Sequence, residues 1–530
     1  MKQYIIGLTM AAALTFTVTG CSDFLDEPLR GQQDMENYFS TEDECAKQLT
    51  GCYQSLAYDD WWQIYKFYVA GDMCTDDEWM GNTTQDPGDY LPLAHYTGNT
   101  VSAGNSCQNF WQYRYKGILQ CNIAINKIPA VTFNDESLQK RYIAEAKVLR
   151  AFQYFDLVKN FGGVPIVLDL KMPSEVEGIE RASKEETYAQ IEKDLLEAIP
   201  DLPLRSQYSS NDLGRVTKGT AQGLLGKVYL YQEKYKEAEA QLKAVIDSKE
   251  YALLDNFGDV WSMDHNNSKE SLLEVQTNSD ISYSLGERIS VVVGSRDDSG
   301  WSWGLPTSNL EKAFEDAGDS IRLKWTILHD GQTDVPNDPT WTADNPYVIS
   351  PSKHKSARCN MKLYIPVAKR PSPYDAPHIP LNYRLLRYAD VLLMYAEVEN
   401  ALGNDAEARA ALNQVRARVK LSAVTSSGKQ LRDAIRLERR LELALEDNRL
   451  YDLRRWKDDN GKPAIDNIMG PNGTFVRYNL YESTDKYEKG NTGESCDKGI
   501  TFKEGRDELF PIPNSEIIMS NGSIKQNPLY

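Results

Sequence analysis

The chain has 530 residues, 41% apolar and 26% charged, a balance that buries a sizeable core as one large domain or two ordinary ones. A net charge of -18 at pH 7 argues against nucleic acid and against an anionic lipid surface as ligands, because a phosphate partner requires a basic footprint. Aromatic side chains are abundant instead, with 30 Tyr and 10 Trp.

Residues 1–20 read as a signal peptide. Lys2 supplies the basic start, and the apolar stretch Ile5–Val18 is too short to span a membrane. Val18, Thr19, Gly20 and Cys21 have the pattern of a lipobox, in which a small residue precedes a cysteine that is lipidated and becomes the new N-terminus. An ordinary signal peptide followed by a chance cysteine is the alternative, and Val18 stands where Leu is commoner. Cys21 is thus the expected lipidation site and residues 21–40 the tether, with Ser22–Glu27 an acidic, exposed leader. Residues 41–530 are expected to form a single domain on that anchor. Several acyl chains, at about 0.8 kcal/mol per buried CH₂, would make the attachment permanent. No later run reaches about 18 uninterrupted apolar residues; the longest, around Val391–Leu402, carries Glu397 and Glu399 and follows Asp390.

Within the domain the apolar spacing predicts helix pairs. Glu42–Tyr58 is expected to pair with Phe110–Ile128, and Leu138–Asn160 with Ser183–Ile199, where Ser183 and Glu186 form a capping box. Thr217–Ser248 is the clearest hairpin: Leu225, Gly226 and Tyr229, then Tyr235, Ala238, Leu242 and Val245, follow the tetratricopeptide alternation of large and small residues. Tyr388–Val419 repeats it, with Ala408, Leu412 and Val415 each 170 positions after Ala238, Leu242 and Val245, and Ala396 in register with Gly226. The expected fold is therefore mainly α, four interrupted tetratricopeptide-like pairs forming a scaffold. Three pairs fall in residues 41–250 and the fourth in 381–530.

Two long insertions interrupt the pairs, at about Asp59–Ser106 and Tyr251–Ile379, the latter making 251–380 a loop-rich region. Both are rich in Gly, Pro, Asn, Asp and aromatics and read as loops and short strands. Long loops in a compact protein are functional or disordered, and these are too aromatic to be disordered. The ligand site is expected there. Apart from Cys21, the seven cysteines (Cys45, Cys52, Cys74, Cys107, Cys121, Cys359 and Cys496) show no CxxC spacing and read as small buried thiols, although one or two bridges are compatible with the spacing. The five histidines form no metal pattern, so no metal or cofactor is expected.

Several segments resemble the SusD/RagB family in order: Ala146–Pro165 (AKVLRAFQYFDLVKNFGGVP), Arg387–Glu397 (RYADVLLMYAE), Leu437–Trp456 (LERRLELALEDNRLYDLRRW), Leu509–Pro513 (LFPIP) and Gln526–Tyr530 (QNPLY). Asp447 stands where Gly is usual, and Leu529 replaces the Gly expected before the last Tyr, which touches at most local turn geometry. Read from the residues alone, these motifs are core: the Arg387 helix is apolar nearly all round, with Arg387 and Asp390 expected to pair at i, i+3. Arg439, Arg440, Glu442 and Arg449 are expected in a structural salt-bridge network.

The resemblance implies a function without catalysis: capture of an oligosaccharide, or in some members peptide, at the cell surface of the outer membrane, and its delivery to a SusC-like TonB-dependent transporter. A sugar offers an apolar C–H face and a polar rim, so flat rings beside carboxylates, amides and Arg are the expected binders. The candidate ligand residues are Asp77, Trp79, Tyr90 and Tyr96 in the first insertion and Arg296, Trp301 and Trp303 in the second. Trp61, Trp62, Trp111, Trp325 and Trp456 are expected in the core. Two other readings compete: a peptide-binding receptor using the concave repeat face, and a glycoside hydrolase, whose paired acids cannot be located from sequence.

Overall fold

The computed structural model describes residues 39–57, 64–80, 91–97, 104–171, 178–280, 286–371, 378–478 and 500–530, with the isolated residues 175 and 282. The first long helix, α1 (Glu42–Gln54), starts at a capping box: Glu44 N–H donates to the Thr41 hydroxyl, and the Glu44 carboxylate accepts from Thr41 N–H. After α2 (Ile64–Met73) and the short strand β1 (Glu78–Met80) come α3 (Gly104–Lys127), α4 (Glu136–Phe161) and α5 (Lys184–Ala198). Next are α6 (Lys218–Tyr231) and α7 (Tyr235–Ser248), then β2 (Ser271–Val275), β3 (Gly304–Pro306), α8 (Ser308–Asp316), α9 (Ser320–Thr326), β4 (Ile327–His329) and β5 (Arg358–Asn360). β6 (Tyr383–Arg387) runs directly into α10 (Tyr388–Leu402), followed by α11 (Asp405–Arg418), α12 (Gly428–Glu442) and α13 (Arg449–Arg455).

The expected pairs pack as pairs: α1 on α3, α4 on α5, α6 on α7 and α10 on α11. Ser183 and Glu186 cap α5 as their spacing predicts. Ala238, Leu242 and Val245 are fully buried, and so are Ala408, Leu412 and Val415 at the equivalent positions of the fourth pair. α7 against α10 joins the third pair to the fourth, and α12 closes over α10 and α11. Within α4 nearly every residue from Ala144 to Phe161 is buried, because it lies between α3 and α5. The repeats thus share one continuous core, which reaches into the insertions through Trp79, Leu305 and Leu328.

Among the described residues the strands form three two-stranded antiparallel ribbons. β1 pairs with β3, setting Trp79 opposite Leu305 and tying the two insertions together. The ribbons β2–β6 and β4–β5 anchor the second insertion.

The expected pair between Arg387 and Asp390 does not form. Arg387 is the last residue of β6, with extended backbone (φ -134, ψ 161), so it lies off the helical spiral on which an i, i+3 pair depends. Its guanidinium instead reaches Glu270 (2.9 Å), Glu442 (2.6 Å) and Glu446 (2.8 Å). Asp390, on α10, is held by Lys227 (3.0 Å) and Arg439 (2.8 Å). Arg322 adds to the same buried network through Glu438 (2.7 Å) and Glu442 (3.0 Å), so the Arg-rich motif of α12 and α13 is structural. The two departures from the family pattern also find a physical setting. Asp447 (φ 58) and Leu529 (φ 65) both adopt left-handed backbone, where glycine is ordinarily favoured. Asp tolerates that conformation; Leu529 bears it at an exposed position.

The six described cysteines are buried free thiols; Cys21 and Cys496 lie outside the described residues. Among the described residues no helix is long and apolar enough to cross a membrane.

Candidate functional site

The seven candidate residues separate by burial. Asp77, on the approach to β1, is fully buried, and Arg440 of α12 donates to its Oδ1 from Nε at 2.8 Å. Arg449 of α13 grips the neighbouring Asp76 with two bonds, at 2.9 and 3.0 Å. Burial alone raises an acid; Arg440 and Arg449 outweigh it at Asp76 and hold that carboxyl at about 2. At Asp77 burial prevails over Arg440, and the charge of Asp76 adds to it, so that carboxyl is raised. Asp77 is therefore a structural ion-pair partner, a correction to its reading as a ligand group.

Trp79 is corrected for the same reason. It is 2% exposed, its ring 5.2 Å from that of Phe475, with no face left for a ligand. Tyr96 is buried: its hydroxyl donates to the Cys74 carbonyl and its ring meets Phe502 edge-on at 5.0 Å. The first insertion is clamped to the C-terminal segment here, since Arg506 donates to the Tyr96 carbonyl at 2.9 Å. Trp303 is 8% exposed and belongs to the core. Tyr90 lies outside the described residues, as do Trp61 and Trp62. Of the expected core tryptophans, Trp111 and Trp456 are buried and Trp325 is half-buried.

Arg296 and Trp301 remain at the surface, half-buried, on one loop. That loop, residues 294–303, is fixed by its own backbone. Trp301 N–H donates to the Val291 carbonyl (2.8 Å), Ser302 N–H to Gly294 (2.9 Å), Trp303 N–H to Val292 (3.0 Å) and Gly300 N–H to Ser295 (2.7 Å). Arg296 Nε donates to the Trp301 carbonyl at 2.7 Å, joining the two candidates. A Cβ on Gly300 would lie 2.2 Å from the Gly294 carbonyl, so the crossing requires glycine there. Ser299 (φ 67) and Ser302 (φ 59) take left-handed backbone, a strain that persists only where surrounding bonds impose it. The Trp301 and Trp303 rings lie 5.0 Å apart at 47°, so the buried tryptophan supports the half-buried one.

Polar groups flank this loop. Arg296 N–H donates to His354 Nε2 at 3.1 Å, which makes that nitrogen the acceptor and leaves Nδ1–H to donate to the Ser350 carbonyl at 2.9 Å. Burial lowers the His354 pKa below the usual imidazole value and so favours this neutral form. Asp297 accepts from Ser350 N–H (2.7 Å) and from Lys353; these bonds overcome its burial and hold it at about 2. Asp298 receives both terminal nitrogens of Arg370, at 2.6 and 2.7 Å. Tyr347 and Trp341 meet edge-on nearby, with 4.9 Å between ring centroids. Sequence alone does not single out Arg370, Tyr347 and Trp341; their one signal is membership of the aromatic second insertion. Among the described residues no three His, Cys, Asp or Glu side chains are placed to hold a metal ion.

Helix pairs that carry a rigid loop layer between them define the class, a helical scaffold with an inserted aromatic site. Residues 262–530 match the family described as the SusD family, and residues 23–230 match the one described as starch-binding associating with outer membrane. The chain belongs to the SusD family. It is 26% identical to SusD-like protein P2 of Formosa agariphila over 100% of both chains. A solved structure named as a laminarin binding SusD-like protein superposes with a TM-score of 0.75 at 28% identity, covering 93% of this chain and 100% of that one. Surface glycan-binding protein A from Bacteroides thetaiotaomicron, solved in complex with laminarihexaose, has the same fold at a TM-score of 0.71 and 20% identity, covering 92% of this chain and 100% of its own.

Proposed function

We propose that this protein is a lipid-anchored receptor on the surface of the outer membrane that captures oligosaccharide and passes it to a SusC-like TonB-dependent transporter, without catalysing a reaction. The observation that carries the reading is the loop at 294–303, where half-buried Trp301 is backed by Trp303 and tied to Arg296. A ring held by backbone bonds loses little freedom on meeting a sugar face, and the adjacent Arg296, Asp298 and Arg370 supply a polar rim. Membership of the SusD family, and a 28% identical relative named for laminarin binding, support carbohydrate as the ligand class.

Magnitudes keep the expected affinity modest. A ring face covering about 75 Å² contributes roughly 2 kcal/mol, and ordering a flexible saccharide offsets part of that. The single ring thus supplies less than about 2 kcal/mol, and the polar rim must carry the larger share of a micromolar to millimolar affinity, about -4 to -8 kcal/mol. The test is an array of oligosaccharides and peptides probed with the lipid-free chain, laminarihexaose included. Saccharide binding supports the reading; binding of peptides alone would assign the chain to the peptide-capturing branch implied by the resemblance.

A further inference from the structure

Two buried thiols meet where the first helix pair closes. Cys45, Leu49 and Cys52 are the buried side chains of α1, spaced along the one face that packs on α3 and α4. α1 and α3 run antiparallel, and three contacts fix their register. Gln48 Nε2 donates to the backbone carbonyl and to the side-chain oxygen of Gln120, at 3.0 and 2.9 Å. A Cβ on Gly51 would lie 3.5 Å from that side-chain oxygen, and one on Gly117 would lie 3.0 Å from the Cβ of Ser55, at the end of α1. Cys52 stands one turn before Ser55 and Cys121 one turn after Gly117, so this register sets Cys52 against Cys121.

Both cysteines are 0% exposed. Burial pushes the Cys52 thiol well up, and the neighbouring Cys121 thiol adds to the shift. Glycine at 51 and 117 lets the two backbones approach, which suits the Cα separation of about 4.4–6.8 Å that a disulfide needs. Other thiols are differently placed: Cys74 turns its sulfur to the Leu93 carbonyl at 3.8 Å, and Cys45 lies two turns from Cys52 along α1.

We propose that Cys52 and Cys121, thiols in this structure, are joined as a disulfide in the exported protein, a bond that staples α1 to α3. The inference rests on the export half of the receptor reading, because disulfides persist in oxidising compartments outside the cytoplasm. The bond forms during folding, before the core closes over both sulfurs. An envelope dithiol oxidoreductase in its disulfide form is the oxidant. One chain thiolate opens that disulfide to give a mixed disulfide; the second attacks it, the Cys52–Cys121 bond forms, and the enzyme's sulfur leaves as a thiolate. The two chain thiols lose two electrons and two protons in all, and the enzyme's disulfide becomes a dithiol. The place suits a staple. α1 is the first helix after the residues read as the tether, so a pull on the anchor reaches it first, and the bond constrains the unfolded chain over the loop from 52 to 121.

The test exports the full chain with its own signal peptide, blocks free thiols with N-ethylmaleimide under denaturing conditions, and maps tryptic peptides by mass spectrometry without reduction. Cleavage after lysine and arginine puts Cys52 in residues 48–66 and Cys121 in residues 117–127, each without a second cysteine. The expected result is a linked species that accounts for most of both peptides and vanishes on reduction, while Cys45, Cys74, Cys107 and Cys359 carry the label. In Cys121→Ala the Cys52 peptide is expected fully labelled. Both peptides labelled and unlinked in the exported wild type overturns the disulfide. A chain retained in the cytoplasm overturns the receptor reading instead, and refolding of the purified chain with oxidised glutathione then decides the pairing: the linked peptide upholds it, and its absence there overturns it as well.

Discussion

Arg440 donates to Asp77 across 363 positions of sequence, and this bond turns an apparent ligand carboxylate into a strut between the first insertion and α12. Arg440 also pairs with Asp76 at 3.0 Å, so losing Asp77 removes a buried charge-assisted hydrogen bond without leaving the guanidinium bare. Asp77→Ala should therefore lower stability by about 1–3 kcal/mol, and Trp79→Ala and Trp303→Ala by about 3–5 kcal/mol each as core truncations. Urea unfolding of the three variants checks this. Wild-type midpoints for all of them would mean that the first insertion is not braced as described.

Asp447 gives a pH signature. Burial pushes its carboxyl up to about 8, with Lys159 opposing and Asp156 reinforcing the shift. A group whose folded pKa is raised stabilises the fold fully below its unfolded value, and that contribution is lost as pH rises through the folded value. Stability should decline from about pH 4 towards about pH 8 on account of this group. Asp447→Asn accepts the same left-handed backbone (φ 58) without the charge and should flatten that decline. Denaturation midpoints at a series of pH values provide the measurement, and parallel wild-type and variant profiles would contradict the assignment.

His354 has the opposite sign. Burial lowers its pKa, while Asp297 and the Ser350 carbonyl oppose that shift and Arg296 and Lys353 add to it. Its contribution is present above the unfolded value of about 6.5 and is lost as pH falls through the folded one. Protonating Nε2 would destroy its acceptance of Arg296 N–H and loosen the loop that carries Trp301. Saccharide affinity should weaken under acid conditions in wild type and depend less on pH in His354→Gln. Calorimetric titrations at neutral pH and at pH values well below about 6.5 would show it; a wild-type affinity unchanged over that range would count against this role.

Much of the scaffold was legible in sequence because helix pairing writes itself locally, in the small and large residues around Ala238 and Leu242 and again around Ala408 and Leu412. The site was less legible. Asp-Asp-Glu-Trp at 76–79 has the composition of a sugar platform, yet it is buried because Arg440, Arg449 and Phe475, hundreds of positions away, close over it. Arg387 departs from the i, i+3 expectation for a local reason, a strand that turns into a helix at that residue. Trp301 and Arg296 stay at the surface through backbone crossings at Gly294 and Gly300, of which the flanking glycines of the loop were the only hint.

The anchor is tested separately, since Cys21 lies outside the described residues. Cys21→Ala should abolish labelling by a fatty-acid analogue and release the protein from the outer membrane. Purification of the wild type in mild detergent should bring down a TonB-dependent barrel. Full labelling of the variant would sink the lipoprotein reading, and recovery of the chain alone under varied detergents would count against the transporter.

A half-buried tryptophan on a rigid loop should meet the ligand while the surrounding tryptophans hold the fold. Calorimetric titration of wild type and Trp301→Ala with the best-binding oligosaccharide, alongside thermal melts of both, separates these roles. The expected outcome is a loss of roughly 1–2 kcal/mol of binding, about five- to thirtyfold, with the melting temperature nearly unchanged. Equal affinity in the two proteins, or a Trp301→Ala variant that melts early, would contradict it.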